Sequence, residues 1–330
     1  ILPTGRNFYS VDVRSLPTEA AWSLGKMSAQ NVIELHKMDH GDDLRTLAMS
    51  VWGTATMRNG GEEICQLFYF LGIRPIWDGF SRRLVDLEII PLSELKRPRV
   101  DVVLRISGFF RDAFPELIRW VNEAHQMIGS LDEPIGMNPL ADSLKKNPNS
   151  SRVFGSAPGA YGAGLQALID SGAWETQKDL ANTYLSWSKW SYSYVDNVRE
   201  DIDLLSNTLR DVEVVLHSQD NREHDILDSD DYYQFHGGLA AAVKHVSGKT
   251  PTIYFADNSN NLSPTVHKIE KEIDKVMRSR VLNPKWIIGI QQHGFKGAFE
   301  MAATVDYLFA YDATTNTVRD WCYSEICKKW

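Results

Sequence analysis

Between Asp220 and His236 the sequence places six carboxylates and two imidazoles within seventeen residues. Like charge at that density is unfavourable unless a cation, protons or backbone donors compensate it. The segment reads as a divalent-metal or proton-relay site. His224 and His236 would be nitrogen donors, and Glu223, Asp225 and Asp228 would be oxygen donors or bases. An acidic, helix-capping surface loop is the alternative, but it leaves the imidazoles and the Tyr232-Tyr233 pair unexplained. His236-Gly237-Gly238 sets an imidazole at a helix start beside residues that let a ligand approach the backbone, and His293-Gly294 repeats the pattern. Two such pairs imply a shared cleft, with His293 as a third nitrogen donor.

Phe154 to Gly164 forms a glycine-rich loop opening a helix. Gly159, Tyr161, Gly162 and Gly164 there suit an anion such as a carboxylate or phosphate. The loop lacks the Gly-Lys-Ser/Thr ending of a P-loop and the spacing of the dinucleotide fingerprint. Ser247-Gly248-Lys249-Thr250 has that ending, but Val243 stands where the first glycine belongs and Pro251 where a helix should begin, so no nucleotide site is expected. Trp52-Gly53-Thr54 and Ser107 to Asp112 occupy strand-to-helix positions. Arg111 could grip a substrate carboxylate there, and Glu63 reads as a helix cap.

The elements that must position these groups are strands alternating with helices. Apolar runs at 47–52, 100–106, 212–216 and 252–255 read as strands, with Ile73-Arg74-Pro75-Ile76-Trp77 as a further one. Helical patterns cover about 20–37, 62–71, 113–128, 163–172, 176–189, 197–209, 237–246, 264–280 and 297–309. This order predicts an α/β fold of two parallel-sheet units with additional helices and a ligand cleft between them. Residues 1–150 would form the first unit with an N-terminal extension and linker. Residues 151–330 would form a helix-rich second unit carrying the candidate metal site. With 330 residues, 43% of them hydrophobic, the chain can build real cores. A net charge of −8 without a basic run argues against nucleic acid and anionic membranes as partners. Cys65, Cys322 and Cys327 show no paired spacing, which fits a reducing cytoplasm better than a disulfide framework. No apolar stretch is long enough to insert into a membrane. The opening Ile1-Leu2-Pro3-Thr4-Gly5-Arg6, lacking an initiator Met and a signal-peptide core, reads as part of something longer.

Five segments together resemble the large-subunit family of cobaltochelatase and magnesium chelatase: Leu2 to Tyr9, Arg152 to Gly164, Arg222 to Gly238, Arg280 to Trp286 and His293 to Tyr307. The resemblance runs collinearly over nearly the whole chain and implies one large internal domain of a subunit several times longer. It further implies ATP-dependent insertion of a divalent metal into a tetrapyrrole. In the cobalt branch, cobalt(II) enters hydrogenobyrinic acid a,c-diamide during cobalamin synthesis. ATP and Mg2+ are used there by an AAA+ motor and a companion subunit, which agrees with the missing P-loop.

In the magnesium branch the resemblance continues around Leu227-Asp228-Ser229-Asp230, but the imidazoles at 236 and 293 are missing. Imidazole suits mid-row transition metals, whereas magnesium prefers oxygen ligands and keeps its water. Cobalt is therefore the expected substrate metal, with a magnesium chelatase-like or haem-dechelatase-like relative as the alternative. His224, His236 and His293, with Asp225 or Glu223, would form a transient site, and Arg111, Arg152 and the 158–164 loop would hold the macrocycle's carboxylates. A metallohydrolase, or a non-catalytic domain that binds a tetrapyrrole or docks a motor, are the readings from other classes.

Overall fold

Four apolar runs form the centre of the sheet because both of their faces are covered. The computed structural model describes residues 12–193 and 198–330, so the Leu2–Tyr9 motif lies outside the described residues. The strands are β1 (Thr46–Val51), β2 (Ile73–Trp77), β3 (Leu84–Ile89), β4 (Asp101–Ile106), β5 (Val153–Gly155), β6 (Trp190–Ser191), β7 (Arg199–Glu200), β8 (Val214–Gln219), β9 (Thr252–Asp257) and β10 (Thr265–Lys268). Eight of them make one sheet in the order β10-β9-β8-β1-β4-β5-β6-β7, in which β9, β8, β1, β4 and β5 run parallel.

The two expected units therefore share a single sheet. Leu47 pairs with Val214 and Thr46 with Asp101, so β1 joins the halves. The α/β class and the parallel sheet are as anticipated. Period-2 alternation assigns the faces. Leu47, Met49, Val102, Leu104, Val214 and Leu216 point into a core covered by the helices Glu19–His40, Glu62–Leu71 and Pro115–Gly129. Ala48, Val103, Val215, Ile253 and Phe255 point into the opposite core, under Gln177–Ser188, Gly238–Ser247 and Phe295–Thr315.

Some local expectations change. Ile73–Trp77 leaves the main sheet and pairs antiparallel with β3, because Pro75 has no N–H to give a central ladder. The linker-like 130–151 stretch contains the helix Pro139–Lys146, capped by the Asn138 side chain accepting from the Ala141 N–H at 3.0 Å. The 264–280 pattern divides into β10, the helix Ile269–Val276 and a wide π turn, Met277–Val281. Gly248, at φ +71°, ends the helix Gly238–Ser247 where a P-loop would start one. Among the described residues no helix is long and apolar enough to cross a membrane.

Candidate functional site at the carboxyl edge of the sheet

Because five strands run parallel, their carboxyl ends bring the loops after β1, β4, β5, β8 and β9 to one edge. The chain leaves β1 toward β4 and β8 toward β9, in opposite directions, which makes the β1/β8 junction the topological switch point where such folds bind ligands. A cavity of about 200 Å³ opens there, lined among others by Trp52, Arg58, His217, Asp220, His224 and Tyr232.

On the β1 side, Arg58 grips Asp220 bidentately, Nε to Oδ2 at 2.8 Å and Nη2 to Oδ1 at 2.6 Å. Behind this pair begins the helix Glu62–Leu71. Its start is fixed by Gly60 and Gly61, at φ +81° and +92°, and by Asn59, whose Oδ1 accepts from the Gly61 and Glu62 N–H groups at 2.9 and 3.2 Å. Glu62 and Glu63 are both buried. Burial, followed by the neighbouring Glu63 charge, pushes the Glu62 carboxyl up to about 8. Burial, followed by Asp220, pushes Glu63 up to about 7. Asn258 Nδ2 donates to Glu62 at 3.2 Å and Asn59 Nδ2 to Glu63 at 3.1 Å. Glu63 is thus far more than a helix cap.

On the β8 side, His217 shares the odd-numbered face of the strand with Val215 and meets His236, the ring centres 5.3 Å apart. His236 is presented by a π turn, Tyr233–Gly237, a widened helical turn of the kind that recurs at functional sites. Both imidazoles are buried and neutral. Burial holds His217 down at about 4 and His236 well below its ordinary value, the latter also through His217. Neither His217 nitrogen has a hydrogen-bond partner; the same holds for His236 Nε2, Gln219 Oε1, Trp52 Nε1 and Asn258 Oδ1. His236 Nδ1 makes a long contact, 3.5 Å, with the Tyr311 hydroxyl, and the ring also interacts with the Val215 backbone. Asp231, on the cavity wall, is raised to about 6 by burial and then by Asp230.

The glycines after His236 serve packing. A Cβ on Gly237 would sit 2.2 Å from Thr314 Oγ1, and one on Gly238 2.5 Å from the Tyr184 ring. The three anticipated imidazoles are not brought together. His224 is exposed at the cavity rim, its carbonyl accepting from Gln219 Nε2. His293 is exposed just before the helix Phe295–Thr315, whereas His236 meets Tyr311, sixteen residues into that helix and so about 24 Å along its axis. The two His-Gly pairs mark opposite ends of one helix. Among the described residues no group of three or more His, Cys, Asp or Glu is arranged to hold a metal ion.

Both predicted carboxylate-gripping arginines are already engaged. Arg152 lies at the amino edge of the sheet, where Nε and Nη2 grip the Asp101 carboxylate at 2.8 to 3.0 Å. Arg111 does stand at the carboxyl edge, but Nη1 donates to the Ala157 and Ala160 carbonyls at 2.7 and 3.1 Å while Nε and Nη2 hold Asp112. It braces the glycine-rich loop. Gly159, Gly162 and Gly164 have φ near +80° and shape that loop; Tyr161 is exposed and donates to Asp112 at 2.8 Å. Arg105 ties the loop toward the crevice, donating to the Gly162 carbonyl at 2.9 Å and lying over Phe235, which packs on Trp52.

The sequence model of the CobN/Magnesium Chelatase family matches residues 1–330. The chain belongs to that family. The chain is 48% identical over 340 residues to "Aerobic cobaltochelatase subunit CobN" of Pseudomonas aeruginosa, 98% of this chain and 27% of that protein. It is 31% identical over 340 residues to a magnesium-chelatase subunit of Chlorobaculum parvum, 99% of this chain and 26% of that protein. The solved structure of the "Catalytic Subunit of Cobaltochelatase from Mycobacterium tuberculosis" superposes with a TM-score of 0.96 at 43% identity, covering 100% of this chain and 29% of that one. The chain thus spans about a quarter of the length of these relatives.

Two of the segments that carry the family resemblance lock together. Arg280, in the second π turn and stacked over Trp286, grips Asp225 at 2.6 and 2.7 Å and reaches Asp228 at 3.3 Å. Asp228 also accepts from the Asp225 N–H at 2.7 Å, which fixes the turn of the 222–228 loop. Glu223 stays exposed, its N–H bonded to Asn221. Sequence reasoning missed Arg58, Glu62, His217, Asp220 and Asp231 as members of the site. The available signals were their positions at strand ends and after Arg58-Asn59-Gly60-Gly61.

Proposed function

We propose that this chain forms the metal- and macrocycle-handling part of the large subunit of an ATP-dependent chelatase. In this reading cobalt(II) is inserted into hydrogenobyrinic acid a,c-diamide in the cytoplasm, and ATP and Mg2+ are used by an AAA+ motor and a companion subunit. The observation that carries it is the cavity at the β1/β8 junction, lined by His217, whose neutral imidazole has no partner, and by Asp220, whose charge acts on the buried, pKa-raised carboxyls of Glu62 and Glu63.

Insertion exchanges two pyrrole protons for one dication. Groups that take those protons need affinities near the working pH, and Glu62 at about 8 and Glu63 at about 7 meet that need. His236, with His224 at the rim, donates nitrogen to the metal. Glu223, Asp225 and Asp228 shape the loop carrying His224, the latter two through Arg280. Gly159, Tyr161, Gly162 and Gly164 form a wall for the macrocycle's edge, rigidified by Arg111. His293 and Phe295, both exposed, face a further part of the large subunit or a partner.

The similarity to cobaltochelatase subunits, at higher identity than to magnesium chelatase subunits, supports cobalt. The test is Glu63→Gln in the full-length subunit, reconstituted with its partners and assayed by the absorbance change of the macrocycle. At least a tenfold loss of insertion rate with macrocycle binding retained is expected. An unchanged rate removes Glu63 from proton transfer.

A further inference from the structure

His217 is the least explained group in the molecule. It stands near the end of β8, between the apolar Val215 and the buried polar Gln219 on the same face, and it is 2% exposed. Phe255 and Tyr232 pack around it at ring distances of 5.6 and 5.4 Å, and neither of its nitrogens is bonded. A phenyl ring would fill that space without cost, whereas each unsatisfied buried nitrogen is destabilising. A group kept against its own stability cost, on the wall of a cavity at the switch point, points to a ligand.

The geometry narrows the ligand's chemistry. Two imidazoles sharing one ion, with metal–nitrogen bonds of about 2.1 Å and a near-tetrahedral angle, have ring centres about 5 Å apart. His217 and His236 are at 5.3 Å, tilted by 35°. Both are neutral, so nitrogen ligation displaces no proton. Paired nitrogen donors favour cobalt, nickel or zinc over magnesium. Tyr232, edge-on to His217, borders the cavity on this side.

We propose that His217 and His236 form a paired nitrogen site for the incoming transition-metal ion, with His217 the residue that selects such ions over magnesium. This rests on the chelatase reading above and adds to it the donor that sets metal choice. The pair takes the ion with water completing its coordination, and the small number of protein ligands lets the ion leave toward the macrocycle.

Cobalt(II) chloride, added alone to the full-length subunit without nucleotide or partners, is the probe. Its visible ligand-field absorption reports nitrogen ligation, and magnesium affinity is measured in parallel by calorimetry. His217→Phe and His217→Gln are each expected to weaken cobalt binding at least tenfold and leave magnesium within twofold, with the thermal midpoint of His217→Phe equal to or above that of the wild type. His40→Ala, which removes an exposed imidazole at the other edge of the sheet, is expected to keep cobalt affinity within twofold. Wild-type cobalt affinity in both His217 variants overturns the proposal, as does a wild-type cobalt spectrum without nitrogen character. Tetrapyrrole titration of the same proteins keeps the failures apart: a wild type that binds cobalt but no macrocycle sinks the chelatase reading and leaves the metal pair standing.

Discussion

The two edges of the sheet differ in how they treat buried polar groups, although His36 Nδ1, beside the amino-edge cavity, also lacks a partner. At the amino edge, Arg152 and Asp101 are almost fully buried, yet the guanidinium spends its donors on both carboxylate oxygens, Ser143, Ser150 and the Ser151 carbonyl. At the carboxyl edge, His217, His236, Gln219, Trp52 and Asn258 each keep a buried polar atom without a partner. The amino edge also has the larger cavity, about 600 Å³ against about 200 Å³. Size therefore does not distinguish the edges. Satisfied polar groups mark where the fold is held, and unsatisfied ones mark where it is kept ready for something else.

This contrast can be broken by substitution. Arg152→Ala strands Asp101 in the core, and a loss of about 3–5 kcal/mol is expected in urea denaturation; a loss below 1 kcal/mol contradicts the structural role. Arg280→Met frees the 222–228 loop from its half-buried clamp, with an expected cost of about 2 kcal/mol in the same measurement and raised protease sensitivity in that loop. The carboxyl edge has a pH signature. Glu62 and Glu63 bind protons more tightly folded than unfolded, so their contribution is fully present below pH 4.5 and is lost as pH rises to about 8. Stability should fall across that window by at most about 1.4 kcal/mol per unit for each group, and the slope should flatten in Glu62→Gln and Glu63→Gln. The smallest effect has the opposite sign: His217→Phe should gain about 1 kcal/mol by removing two unsatisfied nitrogens.

Much of the architecture was legible because it rests on local pattern. The runs that became β1, β4, β8 and β9 are apolar on both faces, and that alone demands helices on both sides. The chemical loop after β8 was legible as a cluster of charges. The single sheet was not, since the pairing of β1 with β8 joins residues more than 160 positions apart and leaves no periodic trace. The arginines misled for a related reason. Whether Arg152 is free or consumed depends on Asp101, fifty-one residues away. Glu62 and Glu63 looked like a helix start because their shifts arise from tertiary burial, and His217 was hidden in the apolar run Val214-Val215-Leu216.

The widened turn at Tyr233–Gly237 makes the aim of His236 a matter of residue count. An α-helix advances about 100° per residue, so deleting one residue from Tyr233–Gln234 would restore ordinary winding and swing the imidazole a quarter turn or more away from β8. Among homologues or engineered variants, the length of this one segment should separate chains that retain the facing imidazoles from chains that have lost them.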